Sequence, residues 1–187
     1  MQDFLNYIFD KKRISKEAIA ALKACCVLKK LPKNHILLKE GQIAQNLYFI
    51  EQGVARSFYY HENKEVSSWF YKEGQLLTAW NSFYTRMAAF EYIELLEDST
   101  LYALPYDSLQ KLYEEHPSMQ TFGRLMVEEQ LSFLDSFYKG FNFMSAKEKY
   151  DLLIDYFPDI TLRINLGYIA SFLGISQETL SRIRRVR

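Results

Sequence analysis

Residues 166–187 read LGYIASFLGISQETLSRIRRVR, and the rest of the chain is understood from this window outward. Ile169 and Leu173 stand one helical turn apart, Ala170 is small where a second helix must cross closely, and Gly174 follows the last periodic residue. A glycine there suits a left-handed C-terminal cap, which ends the first helix sharply. Ile175 then fills the corner, Ser176 is placed to N-cap a second helix, and Leu180 with Ile183 returns apolar surface to the first. The face left over carries Gln177, Glu178, Ser181, Arg182 and Arg185. This is a helix-turn-helix pattern whose second helix is polar, basic and sized for a DNA major groove. The competing reading is an ordinary helical hairpin with a solvated basic face. Charge favours the first. Arg182, Arg184, Arg185 and Arg187 stand against one acid, Glu178, a net of +3, while the whole chain balances 23 basic against 23 acidic residues.

A chain of 187 residues, 49% of them hydrophobic, holds one ordinary domain plus a small one. No apolar run approaches the ~18 residues that a membrane span requires. The start, MQDFLNYIFDKKR, puts acids before bases and has no apolar segment of a signal peptide, so a bacterial-type cytoplasmic protein is expected. Cys25 and Cys26 are the only cysteines; adjacent in sequence, they suit helix packing and cannot supply a four-thiolate cluster. His35, His61 and His116 are scattered, so no metal site is expected. With no Gly-x-Ser-x-Gly elbow, Walker loop or dinucleotide fingerprint, the chain reads as no enzyme and as needing no cofactor.

Residues 2–31 read as helical, with Ser15 before the run KEAIAALKACCVLKKL and Pro32 as its stop. From Ile36 to about Leu104 the period becomes that of strands. Short aromatic and β-branched runs (ILLKEG, NLYFIEQGVARSFYY, EVSSWFYKEG, YIELLEDSTLYALP) are punctuated by Gly41, Gly53, residues 61–63 and Gly74. Many short strands with regular turn signals predict a sandwich or roll. Residues 105–116 read as a short helix and 118–143 as a long one with two apolar stripes. One stripe is Val127, Leu131, Leu134, Tyr138 and Phe141; the other is Met119, Phe122, Met126, Phe133 and Phe137. A helix apolar on two faces packs on two things, here the roll and the same helix of a second copy, unless both faces are buried within one chain. Gly140 and Asn142 interrupt it before a capping box, Ser145 to Glu148, that opens the next helix. Pro158 stops that helix, and Ile160 to Ile164 is expected to form one strand of a small hairpin.

Residues 40–42 (EGQ), 47–56 (LYFIEQGVAR), 73–75 (EGQ) and 96–99 (LEDS), followed by Pro105, resemble the cyclic-nucleotide-binding jelly roll. With the terminal helix-turn-helix, the chain from about Pro32 to Arg187 resembles the Crp/Fnr family of bacterial transcription regulators. The resemblance implies an α+β fold: an N-terminal double-stranded β-helix (jelly roll) with flanking helices, a long dimerisation helix, and a C-terminal winged-type helix-turn-helix. It implies a sensor domain over 1–117, a connecting helix and hinge over 118–142, and a DNA-binding domain over 143–187.

The family holds its cyclic phosphate with Gly-Glu and Arg-Ser pairs; here those positions read Thr78-Ala79 and Ala89-Phe90, which lack that chemistry. Arg86 either reaches inward from another loop or is a surface residue. Tight binding of cyclic AMP is therefore not expected. Trp69, Tyr71, Trp80, Tyr84, Arg86 and Tyr92 either line a pocket for some other effector or, with Phe83 and Phe90, fill the roll themselves. On the recognition helix, Gln177, Glu178 and Arg182 match the family's base-reading positions, the first of them altered. Ser176, Thr179, Arg184, Arg185 and Arg187 are placed for phosphates. The expected protein is a homodimer, seamed by Val127, Leu131, Leu134 and Tyr138, on a palindromic duplex operator. A small-molecule effector and RNA polymerase stand as candidate partners; a membrane does not. The runner-up is a small-molecule-sensing or protein-interaction module with little DNA affinity.

Overall fold

The computed structural model of the chain describes residues 14–185. Ser15 opens α1 (Lys16–Cys25) by accepting the Ala18 amide at 3.1 Å. The helix does not run on to residue 31 as its composition suggests. Cys26 turns extended and Val27–Leu31 becomes strand β1, paired along its whole length with β8 (Ser99–Pro105). That ladder outweighs the good helix propensity of Leu and Lys, which tertiary context readily overrides. The part of the helical prediction that covers residues 2–13 lies outside the described residues.

The remaining strands are β2 (Ile36–Leu38), β3 (Asn46–Gln52), β4 (Ala55–His61), β5 (Lys64–Tyr71), β6 (Leu76–Leu77) and β7 (Tyr92–Leu95), with a short helix α2 (Trp80–Thr85) before β7. They form two antiparallel sheets, ordered β1-β8-β3-β6 and β2-β7-β4-β5, so β5 is an edge strand. The chain passes from one sheet to the other between β3 and β4. At that corner Gly53 has φ 109°, and a Cβ on it would stand 2.1 Å from Ser99 Oγ, so glycine is required twice over. Strand β3 is buried on both faces because it is covered on both. Tyr48 and Ile50 join the roll's core, while Leu47 and Phe49 meet α1, α3 (Tyr106–Glu115) and the start of α4 (Pro117–Phe141).

Pro117 starts α4, where its missing amide costs nothing. Met119, Phe122 and Met126 are sunk into the roll's core, as that stripe's spacing predicts. After the turn at 142–143 the expected capping box is complete: Ser145 Oγ accepts from the Glu148 amide and the Glu148 carboxylate accepts from the Ser145 amide. It opens α5 (Ala146–Tyr156). The predicted strand from Ile160 is instead a short helix, α6 (Ile160–Arg163). Ile160 and Ile164 are both buried one helical turn apart, whereas Leu162, which a strand would place on their face, is 88% exposed. Then come α7 (Leu166–Leu173) and α8 (Gln177–Arg185). Among the described residues every strand belongs to the roll. None of the described helices is long and apolar enough to cross a membrane.

The apolar interior falls into two clusters. One fills the roll and takes in α1, α3 and the first half of α4. The second joins Val54, Phe70 and Leu96, at the roll's rim, to Tyr150, Phe157, Ile160, Ile169, Leu173 and Leu180 of the C-terminal helices.

Candidate nucleic-acid interface and sensor cavity

Each local device of the α7–α8 pair does what its residues dictate. The Asn165 side chain accepts the Gly167 amide at 2.8 Å and starts α7. Gly174 adopts φ 68° and donates back to Ala170 and Ser171, and the Ile175 amide reaches the Ala170 carbonyl at 3.0 Å. Ser176 then caps α8, accepting the Thr179 amide at 3.2 Å. Ile169, Ala170, Leu173 and Leu180 are all buried between the two helices and α5. A Cβ on Gly167 would lie 2.7 Å from Gln177 Nε2, the far end of an exposed, flexible side chain that can move aside.

The polar face of α8 is open. Gln177, Glu178, Arg182, Arg184 and Arg185 are exposed, and Thr179 and Ser181 are half-buried. The amides at the start of α8 and the Ser176 side chain hold the Glu178 carboxyl below the usual carboxylate range. Ser176, marked from the sequence as a phosphate contact, already spends its hydroxyl on the helix cap and on Thr179 Oγ1. Arg187 lies outside the described residues.

Helix α7 has the opposite surroundings: none of its residues is exposed. It lies along β5. Ser171 Oγ accepts from the Ser67 amide and donates to the Glu65 carbonyl, both at 3.1 Å. The Tyr168 ring stacks 3.5 Å from the Arg56 guanidinium, which is 2% exposed and pairs with Glu65 and Glu94, each at 2.7 Å. Phe172 meets Trp69 and Phe70. Just before α7, Arg163 forks to two roll carboxylates, Glu97 at 2.6 and 2.9 Å and Glu73 at 2.7 and 3.0 Å. Arg56, Glu73 and Glu97 lie in stretches that mark the roll, but no motif in the sequence points to these contacts. Only the buried-strand setting of Arg56 hints at a partner, and nothing local identifies the partners of Arg163.

The Val127–Phe141 stripe of α4 divides. Phe141 packs into the C-terminal cluster, whereas Val127, Leu131, Leu134 and Tyr138 remain exposed along one line. Phe133 and Phe137, from the stripe that begins at Met119, meet Trp69.

The roll holds a cavity of about 460 Å³ lined by Leu37, Leu38, Gln42, Ile43, Ala44, Gln45, Asn46, Tyr48, Thr78 and Ile93, with no charged side chain among them. The Thr78 hydroxyl donates to the Asn46 carbonyl at 2.9 Å, and Ala79 is buried. Ala89 is locked into the Gly41–Gln42 turn by two backbone bonds of 2.8 Å, and Phe90 faces out. Arg86 is neither a free surface residue nor a cavity wall. It donates to the Ala44 carbonyl and Gln45 Oε1, both at 2.6 Å, and lies 4.0 Å over the Tyr106 ring.

The six residues expected at an effector pocket do not converge. Tyr71 is in the core, Trp80 stacks on Tyr84, Tyr92 stacks on Phe58, and Trp69 sits between the roll and the helices. Proximity in sequence fails here because β4 separates β5 from β7 in the sheet. Among the described residues no group of three metal-ligating side chains comes together.

Residues 28–116 match the cyclic nucleotide-binding domain. No curated protein sequence matches the chain. Among solved structures it is similar to a Crp/Fnr-family transcriptional regulator from Eubacterium rectale at 15% identity and a TM-score of 0.72, over 97% of this chain and 87% of that one. FixK2 from Bradyrhizobium japonicum is similar at 16% identity and 0.72, over 86% and 83%. The catabolite activator protein of Thermus thermophilus is similar at 20% and 0.60, over 96% and 85%. Residues 28–116 thus match the cyclic nucleotide-binding domain, and the chain as a whole has the fold of the Crp/Fnr transcription regulators.

Proposed function

We propose that this protein is a homodimeric, sequence-specific DNA-binding transcription regulator whose sensor roll does not bind cyclic AMP tightly. The observation that carries the reading is the open face of α8, with Gln177, Glu178 and Arg182 toward its start, Arg184 and Arg185 behind them, and a spine anchored by fully buried Leu180. Arg182 is suited to fork onto guanine and Gln177 to pair with adenine. Thr179, Arg184 and Arg185 serve phosphates, and Ser176 keeps the helix start in shape. Residues 1–117 act as the sensor, 118–142 as the dimer helix and hinge, and 143–187 as the reading domain.

Selection from a random duplex pool tests this directly. A palindromic motif should emerge, with binding that weakens steeply as salt rises. Arg182→Ala should then cost about 1–3 kcal/mol and relax one base pair per half-site. Failure to enrich any motif, with salt-independent retention, refutes the proposal. The roll's part rests on Thr78-Ala79 and Ala89-Phe90, which offer a phosphate no charge, and titration calorimetry returning micromolar affinity for cyclic AMP overturns it.

A further inference from the structure

We infer that the reading pair α7–α8 is stored closed against its own roll, and that the fork from Arg163 to Glu73 and Glu97 is the latch that sets how often it opens. The inference rests on the DNA-binding reading and adds its regulation. In a helix-turn-helix the first helix crosses the DNA backbone while the second enters the groove. Here α7 is buried or half-buried along its whole length, and its Tyr168, Ser171 and Phe172 side chains are engaged by the roll, which narrows the face it could offer a phosphate chain. What occupies that place is β5. As an edge strand it would leave ladder groups open, and Ser171 satisfies two of them at once, the Ser67 amide and the Glu65 carbonyl. Tyr168 covers the buried Arg56 beside it. The open groove-reading face of α8 is therefore poised while its companion is withheld.

The contact has the makeup of a switch. Its apolar part is shared with Val54, Phe70 and Leu96 at the roll's rim. Its ionic part is partly solvated, with Arg163, Glu73 and Glu97 side chains 20%, 37% and 31% exposed. Undocking therefore returns these three charges to water and strands none of them in a dry interior. Arg163 holds both carboxylates from one guanidinium, so losing it frees both anchors together.

The test uses full-length protein carrying Trp80→Phe, which leaves Trp69 as the single tryptophan, packed on Phe172 and Tyr156 of the docked half. Arg163→Gln weakens the latch from the helical side. Glu73→Gln with Glu97→Gln weakens it from the roll side, leaves α6 and α7 untouched, and keeps an acceptor for the Gly53 amide. Both should expose Trp69 to acrylamide and shift its emission to the red, and both should raise affinity for the pool-selected duplex roughly tenfold. Unchanged Trp69 quenching in the doubly substituted protein overturns the latch. Exposed Trp69 with wild-type DNA affinity overturns its regulatory role while leaving DNA binding intact. Absence of DNA binding in parent and variants alike defeats the reading beneath it.

Discussion

The exposed line on α4 makes a quantitative demand. Leu131 is 66% exposed in the single chain, with Val127, Leu134 and Tyr138 beside it on consecutive turns. Full burial of a leucine is worth about 1.5–3 kcal/mol, so covering the exposed two-thirds of Leu131 is worth about 1–2 kcal/mol. In a two-fold seam each residue occurs twice. Leu131→Ala removes most of that surface from both copies, and the dimer should weaken by about 2–4 kcal/mol, which is roughly 30- to 1,000-fold in dissociation constant. Sedimentation equilibrium over a concentration series reads this directly. Leu162→Ala is the control, because Leu162 is even more exposed at 88% but sits on α6, away from the line. If Leu131→Ala leaves the dissociation constant within about threefold of the parent, or if Leu162→Ala weakens it equally, the seam is not where these residues place it.

Three other outcomes follow from particular contacts. Gly53→Ala should destabilise the roll by about 2–4 kcal/mol in urea denaturation, combining a clash with Ser99 and a positive φ that alanine resists. Arg56→Ala should cost about 3–5 kcal/mol by stranding Glu94, and adding Glu94→Gln to it should recover part of the loss, because the stranded charge is then gone. Burial pushes the Glu73 carboxyl up, but hydrogen bonds from Arg163 and from the Glu73 and Gly53 amides outweigh it and hold the group below its ordinary 4.5. A lowered folded value means the Glu73 contribution is complete above that pH and disappears as pH falls through the folded value. Trp69 emission in the Trp80→Phe protein should thus stay flat above pH 4.5 and shift only as the pH falls below that ordinary value.

Sequence reasoning reached furthest where the controlling contact is local. Gly174, Ser176 and the Ser145–Glu148 box act within four residues of themselves, and all three form as their spacing implies. The Met119, Phe122 and Met126 stripe was legible for the same reason: a helix's period is written in the helix. It failed where a distant partner decides. Val27–Leu31 is a strand only because β8 lies beside it, some 70 residues on. Ile160 to Arg163 alternates as well as it coils, and the buried positions of Ile160 and Ile164 settle it as a helix. The expected effector pocket drew on residues of β5 and β7, which sheet order separates by β4, together with others on and just after α2. Arg163 is separated from Glu97 by 66 residues and from Glu73 by 90, so no window of sequence contains that fork.

One helix connects the seam to the latch. The first half of α4 is fixed in the roll by Met119, Phe122 and Met126, and its second half forms part of the floor under α7 through Phe137 and Phe141, whose rings meet Phe172. Between them Trp69 of the edge strand β5 touches Phe133 and Phe137 on one side and Phe172 on the other. A second copy laid along Val127 to Tyr138 would therefore stiffen the surface on which the closed pair rests, and release of that pair would leave Phe137, Phe141 and Trp69 partly uncovered. Dimerisation and opening then share one set of aromatic contacts, so a substitution in that set should change both. Phe137→Leu should lower the dimer's stability and, independently of the Arg163 fork, raise Trp69 quenching. A variant that moved only one of the two would show that seam and dock are separate devices placed on the same helix.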